Sequence, residues 1–137
     1  MAGLTDTLAI SAAGMQAQGE RLRIVAENLA NAESTASTPG GDPYRRKTIT
    51  FQNVLDKQSG METVKVVKRG VDMSPFEKKY DPAHPAADAQ GYVEYPNVNP
   101  IIETMDMREA RRGYEANMDM VEVSKAMLTQ TISLLQK

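Results

Sequence analysis

Apolar residues near the start of the chain recur at Leu4, Leu8, Met15, Leu22, Val25 and Leu29. Within that set Leu8, Met15, Leu22 and Leu29 fall seven apart, and no Pro interrupts residues 1–32. The spacing predicts one helix carrying a heptad seam. The companion seam positions Ser11, Gln18, Val25 and Ala32 are mostly small or polar, which weakens an isolated pair of helices but permits close packing. Gly14 and Gly19 each cost about 1 kcal/mol relative to Ala in a helix interior, so this helix is expected to be marginal alone.

Residues 33–99 lose the periodicity. Glu33 to Pro43 is rich in Ser, Thr, Gly and Pro, which predicts a loop. Tyr44 to Phe51 alternates weakly, and Met61 to Arg69, with Val64, Val66 and Val67 among charged residues, is predicted as a strand. Pro75, Pro82, Pro85, Pro96 and Pro100 punctuate the chain beyond that strand. Ser74 to Asn99 is therefore expected to be mostly extended chain and turns within a small β-rich insert.

The pattern returns at residue 100. Asn99 offers an N-cap, and Pro100 suits the first helical position, where its missing N–H is not needed. Met107, Tyr114, Val121, Leu128 and Leu135 are spaced seven apart, Met118 and Ile132 widen the apolar face, and Ala110 and Ser124 are small packing residues. One helix over 100–137 would be roughly 57 Å long. A compact chain of this size would be only about 37 Å across. The expected fold is thus mainly α and elongated: long N- and C-terminal helices form a coiled coil, with a small β-rich or extended insert between them. The division is 1–32, 33–99 and 100–137. Two helices share one seam, yet the second carries a wider apolar face, and a large exposed apolar face marks an interaction surface.

Composition narrows the function. The chain has 137 residues, a formal net charge of −2, no Cys and a single His. The missing thiols exclude disulfides, zinc–thiolate and iron–sulfur sites and Cys nucleophiles. Near-neutral charge argues against a nucleic-acid partner. No basic leader precedes an apolar run, so no Sec-type signal peptide is expected, and no window reaches the length of a membrane span, so no direct membrane insertion is expected.

Candidate chemistry is sparse. His84 sits in Tyr80-Asp81-Pro82-Ala83-His84-Pro85 with Asp88 nearby. One imidazole is too few ligands for a typical zinc site, and a Pro-locked turn with a locally hydrogen-bonded His is the reading adopted. Arg45-Arg46-Lys47 resembles a nucleic-acid patch, but residues 33–99 balance nine basic against nine acidic residues, which leaves a solvated or interface strand. Arg108, Arg111 and Arg112 lie among Asp106, Glu109 and Glu115 at spacings that allow pairing along a helix or across to a neighbour. Five of the nine Met residues lie between Met105 and Met127, where adaptable seam packing is favoured over a peptide groove. No phosphate loop, nucleophile elbow or paired-carboxylate motif appears. No enzyme activity, cofactor or metal is expected.

Three blocks carry a resemblance. Glu27-Asn28-Leu29-Ala30-Asn31 is similar to a motif of the bacterial flagellar axial proteins, the rod and hook subunits. Tyr80 to Pro85 with Gly91-Tyr92-Val93 and Tyr95-Pro96-Asn97-Val98-Asn99-Pro100 resembles the proximal-rod branch of that family, and Met105 to Asn117 continues the match. The resemblance implies a structural subunit of the basal-body rod in the periplasm, part of a drive shaft from motor to hook. It also implies synthesis in the cytoplasm, passage through the flagellar type III export apparatus, and assembly with itself and other rod proteins into a helical tube. The expected subunit interface comprises Leu8, Met15, Leu22, Val25, Asn28, Leu29, Asn31, Met107, Tyr114, Met118, Val121, Leu128, Ile132 and Leu135. Another axial subunit, a generic cytosolic coiled-coil adaptor and a secreted wall-cleaving enzyme are the competing readings.

Overall fold

The computed structural model describes residues 2–57 and 60–136. Among these residues two helices, α1 (Ala2–Ala30) and α2 (Pro100–Leu135), bracket four strands: β1 (Lys47–Leu55), β2 (Glu62–Val71), β3 (Glu77–Tyr80) and β4 (Tyr92–Tyr95). β1 pairs with β2 and β3 with β4, giving two separate two-stranded sheets. The chain gathers into two compact units that cut across this order. The first takes residues up to Leu22, Thr50–Lys68 and Arg108 onward; the second takes Arg23–Ile49 and Arg69–Met107. Among the described residues, no helix is long and apolar enough to cross a membrane.

In the first unit α1 and α2 meet through small and polar residues. A Cβ on Gly14 would lie 2.7 Å from Asn117 Nδ2, and one on Gly113 would lie 3.1 Å from the Gln18 amide. Ser11, Ala17, Ala110 and Ser124 are buried, whereas the larger Leu8, Met15, Tyr114 and Val121 are half-exposed. Asn117 Nδ2 donates to the Gly113 carbonyl of its own helix at 2.8 Å, and Arg21 reaches Glu109 across the pair at 3.3 Å. Gln18 Oε1 is buried without a hydrogen-bond partner. The row expected to be weak, Ser11 and Gln18 with the adjacent glycines, is the row at which the two helices touch. Its small volume is the reason, because close backbone approach leaves no room for larger side chains.

The helix ends in the second unit have local causes. Asn99 Oδ1 accepts from the Ile101 N–H at 3.0 Å, the N-cap that the sequence predicts. α1 stops where Asn31 turns its side-chain amide back onto the Glu27 carbonyl at 2.9 Å, and the Ser34 hydroxyl donates to Asn31 Oδ1 at 2.9 Å. These side chains occupy groups that a further helical turn would have used.

The segment expected to be extended chain and turns holds the antiparallel β3–β4 hairpin, in which Glu77 faces Tyr95 and Tyr80 faces Tyr92. Its prolines fall outside the strands, so none removes a ladder donor. Val93 is fully buried, and Tyr80 meets Tyr92 edge-on with ring centroids 5.4 Å apart. Gly91 adopts φ +87°, and a Cβ there would sit 2.8 Å from the Tyr80 ring. Only glycine satisfies both conditions.

Candidate assembly interface

The best-ordered chemistry is a polar clasp in the second unit. Asn28, on the last turns of α1, is 1% exposed, and Glu103, in the first turn of α2, is 0% exposed. The Asn28 amide pairs with the backbone of Lys47 as a strand neighbour would: Nδ2 donates to Lys47 O at 3.0 Å, and Oδ1 accepts the Lys47 N–H at 2.9 Å. The Tyr44 hydroxyl donates to the same Oδ1 at 2.7 Å, and Nδ2 also reaches Glu103 Oε2 at 3.4 Å. An asparagine is needed because its side chain carries both a donor and an acceptor, as a peptide group does.

Arg46 completes the clasp. Its Nε donates to Glu103 Oε1, and its terminal nitrogens lie 3.6 Å from Asp72 and 3.7 Å from Asp106. Burial disfavours the Arg46 cation, but Glu103, Asp72 and Asp106 outweigh it and raise its pKa above the ordinary value. Its backbone N–H donates to Asn97 Oδ1 at 2.8 Å, and Asn97 Nδ2 donates to the Asp72 carbonyl at 2.8 Å. Burial pushes the Tyr44 phenol up, with Lys47 pulling the other way. At the rim, the hydrogen bond between Lys47 and Glu27 (2.9 Å) raises the lysine pKa and lowers that of the carboxyl.

The basic run read as a solvated or interface strand is therefore committed within the chain. Arg46 and Lys47 are ion-paired, and Arg45 lies 4.1 Å over the Phe76 ring and donates to the Asp72 carbonyl. Sequence reasoning missed Glu103, Arg46 and Tyr44. The available signal was register, since Glu103, Ala110, Asn117 and Ser124 are themselves seven apart.

His84 sits in the β3–β4 connection. The Ala86 N–H donates to His84 Nδ1 at 3.0 Å, so the ring proton lies on Nε2, which donates to the Thr35 hydroxyl at 3.1 Å. Both nitrogens are engaged locally. Among the described residues, no group of three or more His, Asp or Glu side chains is placed to hold a metal.

The expected interface residues divide by burial. Val25 and Asn28 are buried inside the second unit, at 4% and 1% exposure, and belong to its core rather than to a surface open to a neighbour. Leu8, Met15, Leu22, Leu29, Asn31, Met107, Tyr114, Val121 and Leu128 are half-buried. Met118, Ile132 and Leu135 are exposed. The sequence reading missed Met120, Val123, Met127 and Leu134, which are also exposed on α2. Burying one such side chain fully contributes about 1.5–3 kcal/mol. The exposed side chains of α2 offer a packing surface, and the clasp residues Asn28, Tyr44, Arg46 and Glu103 bond to one another within the second unit.

Known proteins are similar to this chain along most of its length. The family model described as Flagellar basal body rod FlgEFG protein C-terminal matches residues 89–134. The Flagellar basal-body rod protein FlgC of Agrobacterium fabrum is 54% identical over 127 residues, covering 93% of this chain and 91% of that protein. Proteins of the same name from Borreliella burgdorferi and Salmonella typhimurium are each 38% identical, covering 98% and 97% of this chain and 99% and 98% of theirs. The matches to these three proteins each cover more than nine-tenths of the chain, and the chain belongs to the family of the flagellar basal-body rod protein FlgC.

Proposed function

We propose that this chain is a structural subunit of the flagellar basal-body rod, in its proximal part, and that it transmits torque from motor to hook without catalysing a reaction. The observation that carries the reading is the 54% identity to a rod protein over 93% of the chain. The large apolar side chains left exposed along α2 support it, because a subunit built to assemble keeps such a face for its neighbours. In the assembled rod the two helices join those of neighbouring subunits in coiled-coil packing. Leu8, Met15, Leu22, Leu29, Asn31, Met107, Tyr114, Met118, Val121, Leu128, Ile132 and Leu135 then contribute to that packing. The contacts are heterologous and do not close, so that each added subunit extends a helix. Other rod proteins are the further partners, and the chain reaches the periplasm through the type III export apparatus.

The test is a strain lacking this chain, complemented with an epitope-tagged copy. The tag should appear in purified basal bodies and restore swimming. Restored swimming with the tag absent from basal bodies would contradict the reading.

A further inference from the structure

The segment after α1 closes on its own base. The Tyr44 N–H donates to the Ser34 carbonyl at 2.9 Å, so residues 35–43 form a loop pinned where it starts and ends. Facing it across a cleft of about 250 Å³ is the β3–β4 hairpin, with Ala36, Gly40 and Gly41 on the loop side and Ala86 and Tyr92 opposite. Among the described residues one hydrogen bond spans from this loop to the β3–β4 connection: the Thr35 hydroxyl lies 3.1 Å from His84 Nε2. That bond depends on a ring held from its other nitrogen. The Ala86 N–H donates to His84 Nδ1 at 3.0 Å, so a neutral imidazole with its proton on Nε2 serves both contacts.

Protonation cannot keep both. An imidazolium carries a hydrogen on each nitrogen and accepts nothing, so the Ala86 contact would become two donors facing each other. The backbone there has little freedom to withdraw. Pro82 and Pro85 fix their own φ angles, the His84 N–H donates to the Asp81 carbonyl at 3.1 Å, and the Ala87 N–H donates to the His84 carbonyl at 3.0 Å. The ring rotates instead, which carries Nε2 away from Thr35. No counter-charge is in place to offset the loss. Tyr95 of β4 packs 6.4 Å from the ring, centroid to centroid, and the Lys79 ammonium of β3 lies over that tyrosine. Asp81 meets His84 through its backbone carbonyl, and Asp88 accepts from the Gln90 and Tyr92 N–H groups. Glu33 and Asp42, beside the loop and within it, are exposed. Among the described residues none of these carboxylates forms an ion pair with His84. We propose that His84 is an acid-released latch, holding loop 35–43 over the cleft while its imidazole is neutral and letting it go on protonation. The latch is a property of the single chain and does not rest on the rod reading.

His84 is the one histidine in the chain, so its ring signals identify themselves in a nuclear magnetic resonance titration of the full-length protein. From about pH 8 to about pH 5, the ring nitrogens should report the Nε2–H form first and the imidazolium last. The Ala86 amide should shift with the same midpoint. Backbone order parameters over 36–42 should fall with it, from about 0.85 to below about 0.6. Thr35→Val removes the tether alone: its loop should be mobile at both ends of the titration, while Ala86 still follows the ring. The amide of Val93, which is fully buried on β4, reports that the hairpin stays folded in both proteins. A proton on Nδ1 at the alkaline end overturns the proposal. So does a native loop whose order parameters ignore the imidazole, or a Thr35→Val loop as rigid as the native one. The first two of these outcomes are read from the unaltered chain, so a variant that fails to fold leaves the test decisive.

Discussion

Removing the Arg46 guanidinium would leave the fully buried Glu103 carboxylate, among the described residues, with the Asn28 amide as its one side-chain partner. Uncompensated buried charge is what makes single deletions in such pairs severe. Arg46→Ala should destabilise the protein by about 3–5 kcal/mol, measured by denaturant unfolding, whereas Arg46→Met with Glu103→Met should recover most of that loss. Asp72 adds a pH dependence. The Ser74 backbone N–H and hydroxyl, and then Arg46 and Arg45, hold its carboxyl below its ordinary pKa. The folded state therefore binds this proton less tightly than the unfolded chain does. The stability it contributes is complete above the unfolded value of about 4 and is lost as pH falls through the lower folded value. Thermal unfolding followed by circular dichroism should show Asp72→Asn lowering the midpoint at neutral pH and flattening its decline on acidification. Of this clasp, sequence reasoning singled out Asn28 but not the partners that fold against it. Arg45-Arg46-Lys47 looks like any exposed basic run until Glu103, 57 positions later than Arg46, is folded against it.

At the scale of elements, both helices were legible because each has a strong local cause. Heptad spacing supports them throughout, and Asn99 with Pro100 marks the start of α2, where the cap bond forms. The β3–β4 hairpin was not legible, since four-residue strands are too short to show alternation and their order depends on the Tyr80–Tyr92 and Val93 contacts. The small residues named for packing, Ala110 and Ser124, are the ones buried where α2 meets α1. The larger Met107, Tyr114, Val121 and Leu128 are only half-buried. Small residues take the closest approach and leave larger ones half-exposed for further partners. Leu128 tests that division. It is half-buried on α2, and its neighbour Thr129 is exposed, with its hydroxyl turned to the Lys125 carbonyl at 3.0 Å. A carboxylate desolvated without a partner costs several kcal/mol or is forced to protonate. Leu128→Asp should abolish rod assembly and swimming while export continues, and Thr129→Asp should be much milder. Equal swimming at equal exported amounts would remove the case for packing through that row.

For the whole molecule, the central claim is that the apolar surface left open on α2 closes when the subunit enters the rod. Met118, Met120 and Met127 are 37%, 47% and 48% exposed there, and Met73, just beyond β2, is 76% exposed. Methionine sulfur oxidises according to its access to solvent, so the three α2 side chains report the assembly state directly and Met73 serves as the reference. Brief peroxide treatment and then mass spectrometry would compare the purified subunit with intact isolated basal bodies. The account predicts that Met118, Met120 and Met127 oxidise readily in the free subunit and are protected at least about ten-fold in basal bodies, where packing excludes solvent. Met73, on the insert, should remain reactive in both. Equal oxidation of the three α2 methionines in the subunit and in the basal body would contradict the account.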